Sequence, residues 1–424
     1  MRKNIFKLIS ILSVASMAIL TSCNSKNKND SAVELAKANK LNDSYYYTKL
    51  DDNYTSSVLE TNANLATICS NIENNSCVSP FSIYSTLAMI SGVTSGNTQK
   101  EILDYLNTDY STLKTNYKDL YKSVYRYNTE TKEINGILNN SMWLNKNFKY
   151  NLENIKKASD DFYADIFALN FNSPTSSKYI NNYIKNKTFN LIDENFQFTS
   201  NTALALINTI YLKDNWLEFG NDLDLSKEKI QFTNSKNEIK LDYFLTKQET
   251  GKIYNNDYIK SFRICSNNYK VTFIVPNDDY KIKDVFTKDN IKEALTANYY
   301  NYDTSLYRYY TTTYFPTFSG ETKMELSETL KNAGIKDVFN SLTADFSNIS
   351  NDSLYLDTVD HVAKIDVNKK GLTGAAVTVA TMKSTSAYEQ IKNIYESFYV
   401  DKSFGYLVTG SHNNILLAGI INNI

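Results

Sequence analysis

The sequence predicts an α+β fold, with helices concentrated in the first third of the body and strands in the rest. Three observations predict it. Apolar residues recur at helical spacing between Asn53 and Ile90. Apolar runs of strand type follow, reading LALINTIYL over Leu204–Leu212 and ILLAGII over Ile415–Ile421. No internal repeat or linker interrupts residues 48–424, so one large α+β domain is expected.

At 424 residues the chain can bury a large core. A net charge of −1 gives no basic excess, which argues against a nucleic-acid partner. Tyrosine is common, at 33, but is spread along the chain and reads as general composition rather than an adhesive patch.

The elements follow in order. Arg2, Lys3 and Lys7 form a positive start, and Leu8 to Leu20 is an apolar stretch too short to span a bilayer comfortably. Leu20-Thr21-Ser22-Cys23 then resembles a bacterial lipobox, which implies lipidation of Cys23. A plain secretory signal with a chance cysteine is the competing reading. The expected organisation is a signal over 1–23, a polar tether over 24–47 and the folded body over 48–424. The body would be exported and lipid-anchored at a bacterial cell surface or outer membrane, meeting the membrane through the lipid alone.

If Cys23 is lipidated, Cys69, Cys77 and Cys265 remain, an odd set. Cys69 and Cys77 either bridge or stay free thiols. The two histidines, His361 and His412, with no HExxH, GxSxG or zinc-spaced Cys/His cluster, predict no catalytic residues, no metal and no enzyme activity. His412, in a Gly-Ser-His-Asn turn, is expected in solvent.

Asn53 to Ile72 is expected to be helical through Val58, Leu59, Leu65, Ala66 and Ile68. In Ser79-Pro80-Phe81-Ser82-Ile83, Ser79 suits an N-cap and Pro80 the first helical position, with Ile83, Leu87 and Ile90 on one face. Gly92 and Gly96 would end that helix, and Thr98 with Glu101 would form a capping box for the next. Ile137 to Phe171 mixes a strand-like start, a turn and a helix ending near Ala164. Leu204–Leu212 reads as a central strand buried on both faces. Val271, Phe273 and Val275 alternate as in a half-buried strand before Pro276-Asn277-Asp278. Met324 to Lys331 is expected to be a helix with Gly334 as its C-cap. Phe404 to Val408 and Ile415 to Ile421 form two closing strands around the turn 410–414.

Between Asn368 and the closing strands lies KKGLTGAAVTVATM, Lys369 to Met382. Its small and β-branched side chains suit a strand, yet it lies between polar, loop-like stretches. One reading is an edge strand followed by a long loop. The other is a switch that inserts into a sheet.

These motifs, in this order over about residues 48–424, resemble the serpins. Ser79-Pro80-Phe81-Ser82-Ile83 is similar to the family's SPxSI helix start, and Gly96-Asn97-Thr98 to its GNT turn. Ile180-Asn181 through Thr188 and Ile192 is similar to INxWV…TxGKI, with Tyr183 replacing tryptophan and Asn190 glycine. Leu206 to Lys213 with Trp216 and Phe219 is similar to LVNAIYFKGxWxxxF, with Asp214 replacing glycine. Phe315-Pro316, Leu326, Leu330, Gly334-Ile335 and Asp345-Phe346-Ser347 follow its LPKF…L…LGI…ADFS run, and Ala418 to Asn422 its final strand.

The resemblance implies three β-sheets, about eight to nine helices and an exposed, insertable reactive-centre loop. It implies an irreversible suicide-substrate inhibitor of serine or cysteine proteases, held to its target as a covalent acyl-enzyme, monomeric and without a cofactor. A non-inhibitory binding protein of the same fold is the alternative. Gly371, Leu372, Thr373, Gly374, Ala375, Ala376, Val377 and Thr378 would be the hinge that inserts first. In the inserted strand Leu372, Gly374, Ala376, Thr378, Ala380 and Met382 would point inward, and none of them is charged.

Ser79, Ser82, Asn208 and His361 match the polar cluster that controls sheet opening, and Trp216 matches the tryptophan at the first insertion point. The family's spacing from Gly371 puts the reactive bond at Thr385–Ser386. Met382–Lys383, Lys383–Ser384 and Tyr388–Glu389 are alternatives, so the target protease stays open. Three departures stand out. Leu372 replaces a small residue, Thr373 a glutamate, and Lys369 with Thr317 the members of a common ion pair. The bulk of Leu372 is expected to slow the first step of insertion.

Overall fold

The computed structural model describes residues 32–41, 49–70, 73–129, 131–193, 196–199, 202–216, 222–299, 307–372 and 392–424. The chain opens with β1 (Val33–Ala36), α1 (Asp52–Cys69), α2 (Pro80–Ser91), α3 (Gly96–Tyr105) and α4 (Tyr110–Lys122). Then come β2 (Arg126–Asn128), β3 (Glu133–Asn145), α5 (Leu152–Phe162), β4 (Ala164–Leu169), α6 (Ser176–Lys187) and β5 (Leu204–Leu212). Short strands β6 (Asp214–Asn215), β7 (Asp224–Leu225), β8 (Ile230–Thr233) and β9 (Ile239–Asp242) lead to β10 (Leu245–Thr250), β11 (Tyr254–Asn255), β12 (Ile259–Cys265) and β13 (Lys270–Pro276). After α7 (Ile282–Val285) and α8 (Lys288–Thr296) follow β14 (Tyr307–Phe315), β15 (Phe318–Glu325) and α9 (Ser327–Asn332). The chain closes with β16 (Asp360–Asn368), β17 (Gly371–Leu372), β18 (Lys392–Tyr399), β19 (Phe404–Thr409) and β20 (Ile415–Ile421).

Two sheets lie edge to edge. One runs β1-β4-β3-β2, with β5 pairing β3 on the side away from β4, and the other runs β15-β16-β17-β6. Among the described residues β17 pairs β16 on one side and β6 on the other, and no ladder links β5 to β16. A third sheet has the order β18-β14-β10-β7, and a fourth β11-β12-β13-β19-β20. The β8–β9 hairpin is separate. Helix α2 packs between β5 and β20. Its sequence, PFSIYSTLAMIS, carries no charge, and every residue is buried, as a helix covered all round must be. Helix α6 lies across the opposite face, where Ile180 and Ile184 share an apolar cluster with Ile207 of β5 and Val362 of β16.

Several expectations are corrected. Gly96 does not end a helix. It opens α3 at φ +57, behind an N-cap at Ser95. The Thr98–Glu101 box does not form, because tertiary partners take both side chains. The Thr98 hydroxyl donates to Asp337 and accepts from the Asp345 amide at 2.9 Å. Glu101 Oε2 accepts the Lys336 and Asp337 amides, each at 2.8 Å. The helix expected to end near Ala164 stops at Phe162, Tyr163 turns left-handed, and Ala164 begins β4, parallel to β3. Met324 and Glu325 belong to β15 rather than to a helix, and α9 starts at Ser327. Strand β13 is buried on both faces from Val271 onward, since α7 and α8 cover its outer side. His412 is half-buried rather than solvated, and Cys69 and Cys77 are free, buried thiols with no bridge.

Residues 33–36, placed in the tether by the sequence, form β1 antiparallel to β4. The Ala38 amide donates to Asp165 Oδ1 at 3.1 Å, while Leu35, Ala36 and Leu41 pack on the core. Three small or apolar residues around Glu34 in so short a window gave no periodicity to see.

Two departures from the family pattern have local reasons. Asn190 sits at φ +66, a conformation asparagine tolerates almost as glycine does. Tyr183 keeps an edge-on contact with Trp143 at 5.3 Å and donates its hydroxyl to Asp165 Oδ2 at 2.9 Å.

Candidate functional site

The site is the seam between β5 and β16, from the start of α2 at its base to β17 at its top. Ser79 caps α2 because its extended backbone turns Oγ back to the Ser82 amide at 3.3 Å, while the hydroxyl donates to Leu416 O of β20 at 2.7 Å. The Ser79 amide donates to His361 Nε2 of β16 at 3.1 Å. The Ser82 hydroxyl donates to Asn208 Oδ1 of β5. The two strands with no ladder between them are therefore both fastened to one helix end. All four residues expected in the polar cluster meet there.

Sequence reasoning missed its continuation. Asn208 Nδ2 donates to Asn140 of β3, and Asn140 donates to Tyr117 OH at 2.9 Å and to Phe162 O at 2.6 Å. The signal was present. Asn139, Asn140 and Ser141 interrupt the apolar residues of β3 with three polar ones in a row, and a buried amide must find partners. Burial lowers the pKa of His361 to about 4, so the ring is neutral and can accept from Ser79. Just beside this cluster a cavity of about 10 Å³ lies beneath α6, lined by Ile184, Leu206, Asn208 and Val362 among others.

At the top of the seam, Lys369 and Lys370 make a tight turn and β17 folds back on β16, with Val367 opposite Leu372 and Asn368 opposite Gly371. On its other side Gly371 faces Asn215 and Leu372 faces Asp214. Gly371 is required here. Its φ is +153, and a Cβ would lie 1.9 Å from Asp214 O. Leu372 is 2% exposed and belongs to the main core. Its side chain points inward, the parity expected for an inserted strand. The expected obstacle is thus already inside the sheet, because the core offers the leucine an apolar pocket at this level.

The other departures close this corner. Trp216 donates its indole N–H to Asn368 O at 2.8 Å and packs edge-on against Phe315 at 5.6 Å. Lys369, without the family's glutamate or its partner, pairs with Asp222 at 2.9 Å, and the Leu223 amide bonds Lys369 O at 2.8 Å. Asp214 accepts the Asn268 amide at 2.6 Å and its side-chain N–H at 2.9 Å, which ties β6 to the β12–β13 turn. Burial raises its pKa above the usual carboxylate value.

Thr373, Gly374, Ala375, Ala376, Val377 and Thr378 of the hinge lie outside the described residues. So do Met382, Lys383, Ser384, Thr385, Ser386 and Cys23. Among the described residues no group of His, Cys, Asp and Glu is arranged to hold a metal ion.

Comparisons with known proteins agree with this geometry. The family model described as "Serpin (serine protease inhibitor)" matches residues 62–424. Neuroserpin of Gallus gallus is 26% identical over 364 residues, covering 81% of this chain and 85% of its own. Iripin-1 of Ixodes ricinus is 28% identical over 381 residues, covering 85% and 92%. The native-state crystal structure of the thermophilic serpin tengpin superposes with a TM-score of 0.75 at 20% identity, covering 93% of this chain and all of that one, a likeness of fold. With the family model matching residues 62–424, most of its length, the chain belongs to the serpin family.

Proposed function

We propose that this chain is an inhibitory serpin, an exported trap for serine or cysteine proteases. One observation carries the reading. The first two hinge residues already lie as a strand between β16 and β6, at the head of a seam with no ladder to break. The protease nucleophile attacks the carbonyl of the reactive bond, an ester forms to that residue, and the new amine leaves with the C-terminal arm. The freed arm then continues the strand that Gly371 and Leu372 begin and carries the tethered enzyme along the sheet. About 15 residues at roughly 3.3 Å each give a path near 50 Å. Insertion wins over hydrolysis if it distorts the protease before water cleaves the ester.

The test incubates the full chain with trypsin, chymotrypsin, elastase and subtilisin, followed by denaturing gels and mass spectrometry. A complex that survives denaturation is expected, and the released C-terminal peptide identifies the reactive bond. Clean loop cleavage by all four enzymes with no complex rejects the trap in favour of a substrate-like or non-inhibitory member of the family.

Export and anchoring belong to the same proposal. The lipobox-like Leu20–Cys23 supports lipidation of Cys23 and a bacterial membrane surface. Labelling with a fatty-acid analogue is expected to mark the wild type and not Cys23→Ala. Equal labelling rejects it.

A further inference from the structure

Four of the 33 tyrosines are gathered on one surface. In the β18-β14-β10 part of the third sheet, side chains alternate between a buried and an outward face. The outward positions are 246, 248 and 250 of β10, 308, 310, 312 and 314 of β14, and 393, 395, 397 and 399 of β18. Of these eleven, four are tyrosine and six are threonine, serine, asparagine or glutamine. Arg308, at one end of the face, is the one charge among them.

The register puts Tyr310 beside Tyr395, and Tyr314 beside Tyr399. Both pairs are stacked, with ring centroids 5.4 Å and 4.7 Å apart. Between them Gln248 donates to Thr312 at 3.2 Å. The pairs stand four residues, or about 13 Å, apart along the strands. Tyr395 is 67% exposed and Tyr399 44%.

Rigid tyrosines interleaved with small hydroxyl and amide side chains are the composition of antibody paratopes. They offer large amphipathic contact area at little entropic cost. Position names the partner. Strand β18 starts at Lys392, six residues beyond Ser386. At most about 3.5 Å per residue, the reactive bond lies within about 20 Å of that start. A protease of roughly 230 residues has a radius of about 20 Å, so an enzyme seated on the loop overhangs β18.

We propose that this tyrosine face is a docking surface for the protease attacking the loop, a second contact that speeds the encounter. The inference rests on the reading of the loop as protease bait. It adds that selectivity for the protease resides partly outside the loop. β18 stays behind when the cleaved arm inserts, so the enzyme must release this face as it is carried off, and the contact has to be small beside the energy of insertion.

The test compares the wild-type chain with the double variant Tyr395→Ser/Tyr399→Ser. The readout is the second-order rate at which trypsin, chymotrypsin, elastase and subtilisin convert intact chain to any product. At least one enzyme is expected to attack the double variant about tenfold more slowly. Tyr395→Phe/Tyr399→Phe should restore most of that rate. Most of the difference should persist at 1 M salt, since the stacked tyrosines that are changed carry no charge. The fraction of attacked chains that end as covalent complex should not change.

Equal rates for all four enzymes overturn the proposal, as does a rate gap abolished by salt. So does unaltered attack accompanied by lost retention on a polysaccharide column, which would make the face a sugar platform. If the double variant does not fold, Thr312→Glu at the centre of the face replaces it, with the same slowing expected and equal rates again overturning the idea. Cleavage without a covalent complex would reject the trap but leave any rate difference standing, so the two failures are distinguishable.

Discussion

At the scale of single residues, His361 decides how the seam responds to acid. The folded ring stays neutral down to about pH 4, whereas an unfolded histidine takes up its proton near 6.5. Between those values the unfolded state binds the extra proton, so stability falls as pH is lowered through the window. The loss is on the order of 3 kcal/mol at its lower end. Urea midpoints at pH 7 and pH 4.5 should therefore fall further for the wild type than for His361→Gln. Parallel losses would show that His361 is not the group responsible. Its position was legible in the sequence through the resemblance. Its partner was not, because only the fold brings the Ser79 amide to β16.

At the scale of elements, β17 is a strand of two residues held by a ladder on each side, by Trp216 over the turn and by the buried Leu372 side chain. A leucine truncated to alanine in a core loses about 2–5 kcal/mol. This strand can instead detach locally, so the cost is capped by the free energy of that opening. Leu372→Ala is expected to raise hydrogen exchange of the 371–372 amides at least about tenfold, with a smaller change in global midpoint. Unchanged exchange would mean that the ladders alone hold the hinge. Elements with strong patterns, such as α2, β5 and β20, were readable in advance because burial on all sides leaves an uncharged run. Strand β4 was not foreseen within the 137–171 stretch, and the box at Thr98 and Glu101 was misread. Their local signals were outweighed by partners far away in sequence, β3 in one case and the 336–345 segment in the other.

At the scale of the whole molecule, β5 and β16 lie side by side below β17 with no ladder between them among the described residues. Cleaving the loop should let the freed arm part them and add a strand there, with new ladder hydrogen bonds and buried apolar area. A body of this size gains roughly 1 °C for each kcal/mol. Loop-cleaved chain is therefore expected to melt on the order of 10 °C or more above intact chain by calorimetry. An unchanged melting temperature would mean that the cleaved arm does not insert.

The sequence by itself determined the α+β class and the family, and it named Gly371 and the four residues Ser79, Ser82, Asn208 and His361 that meet at the seam. Each of these depends on residue type and order, which a chain carries along its length. Tertiary structure alone decided that Leu372 is already buried, that Lys369 finds Asp222, that residues 33–36 become a strand and that four tyrosines converge on one face. Those outcomes depend on which distant segments pack together, and a periodicity of two or of 3.6 residues does not encode that.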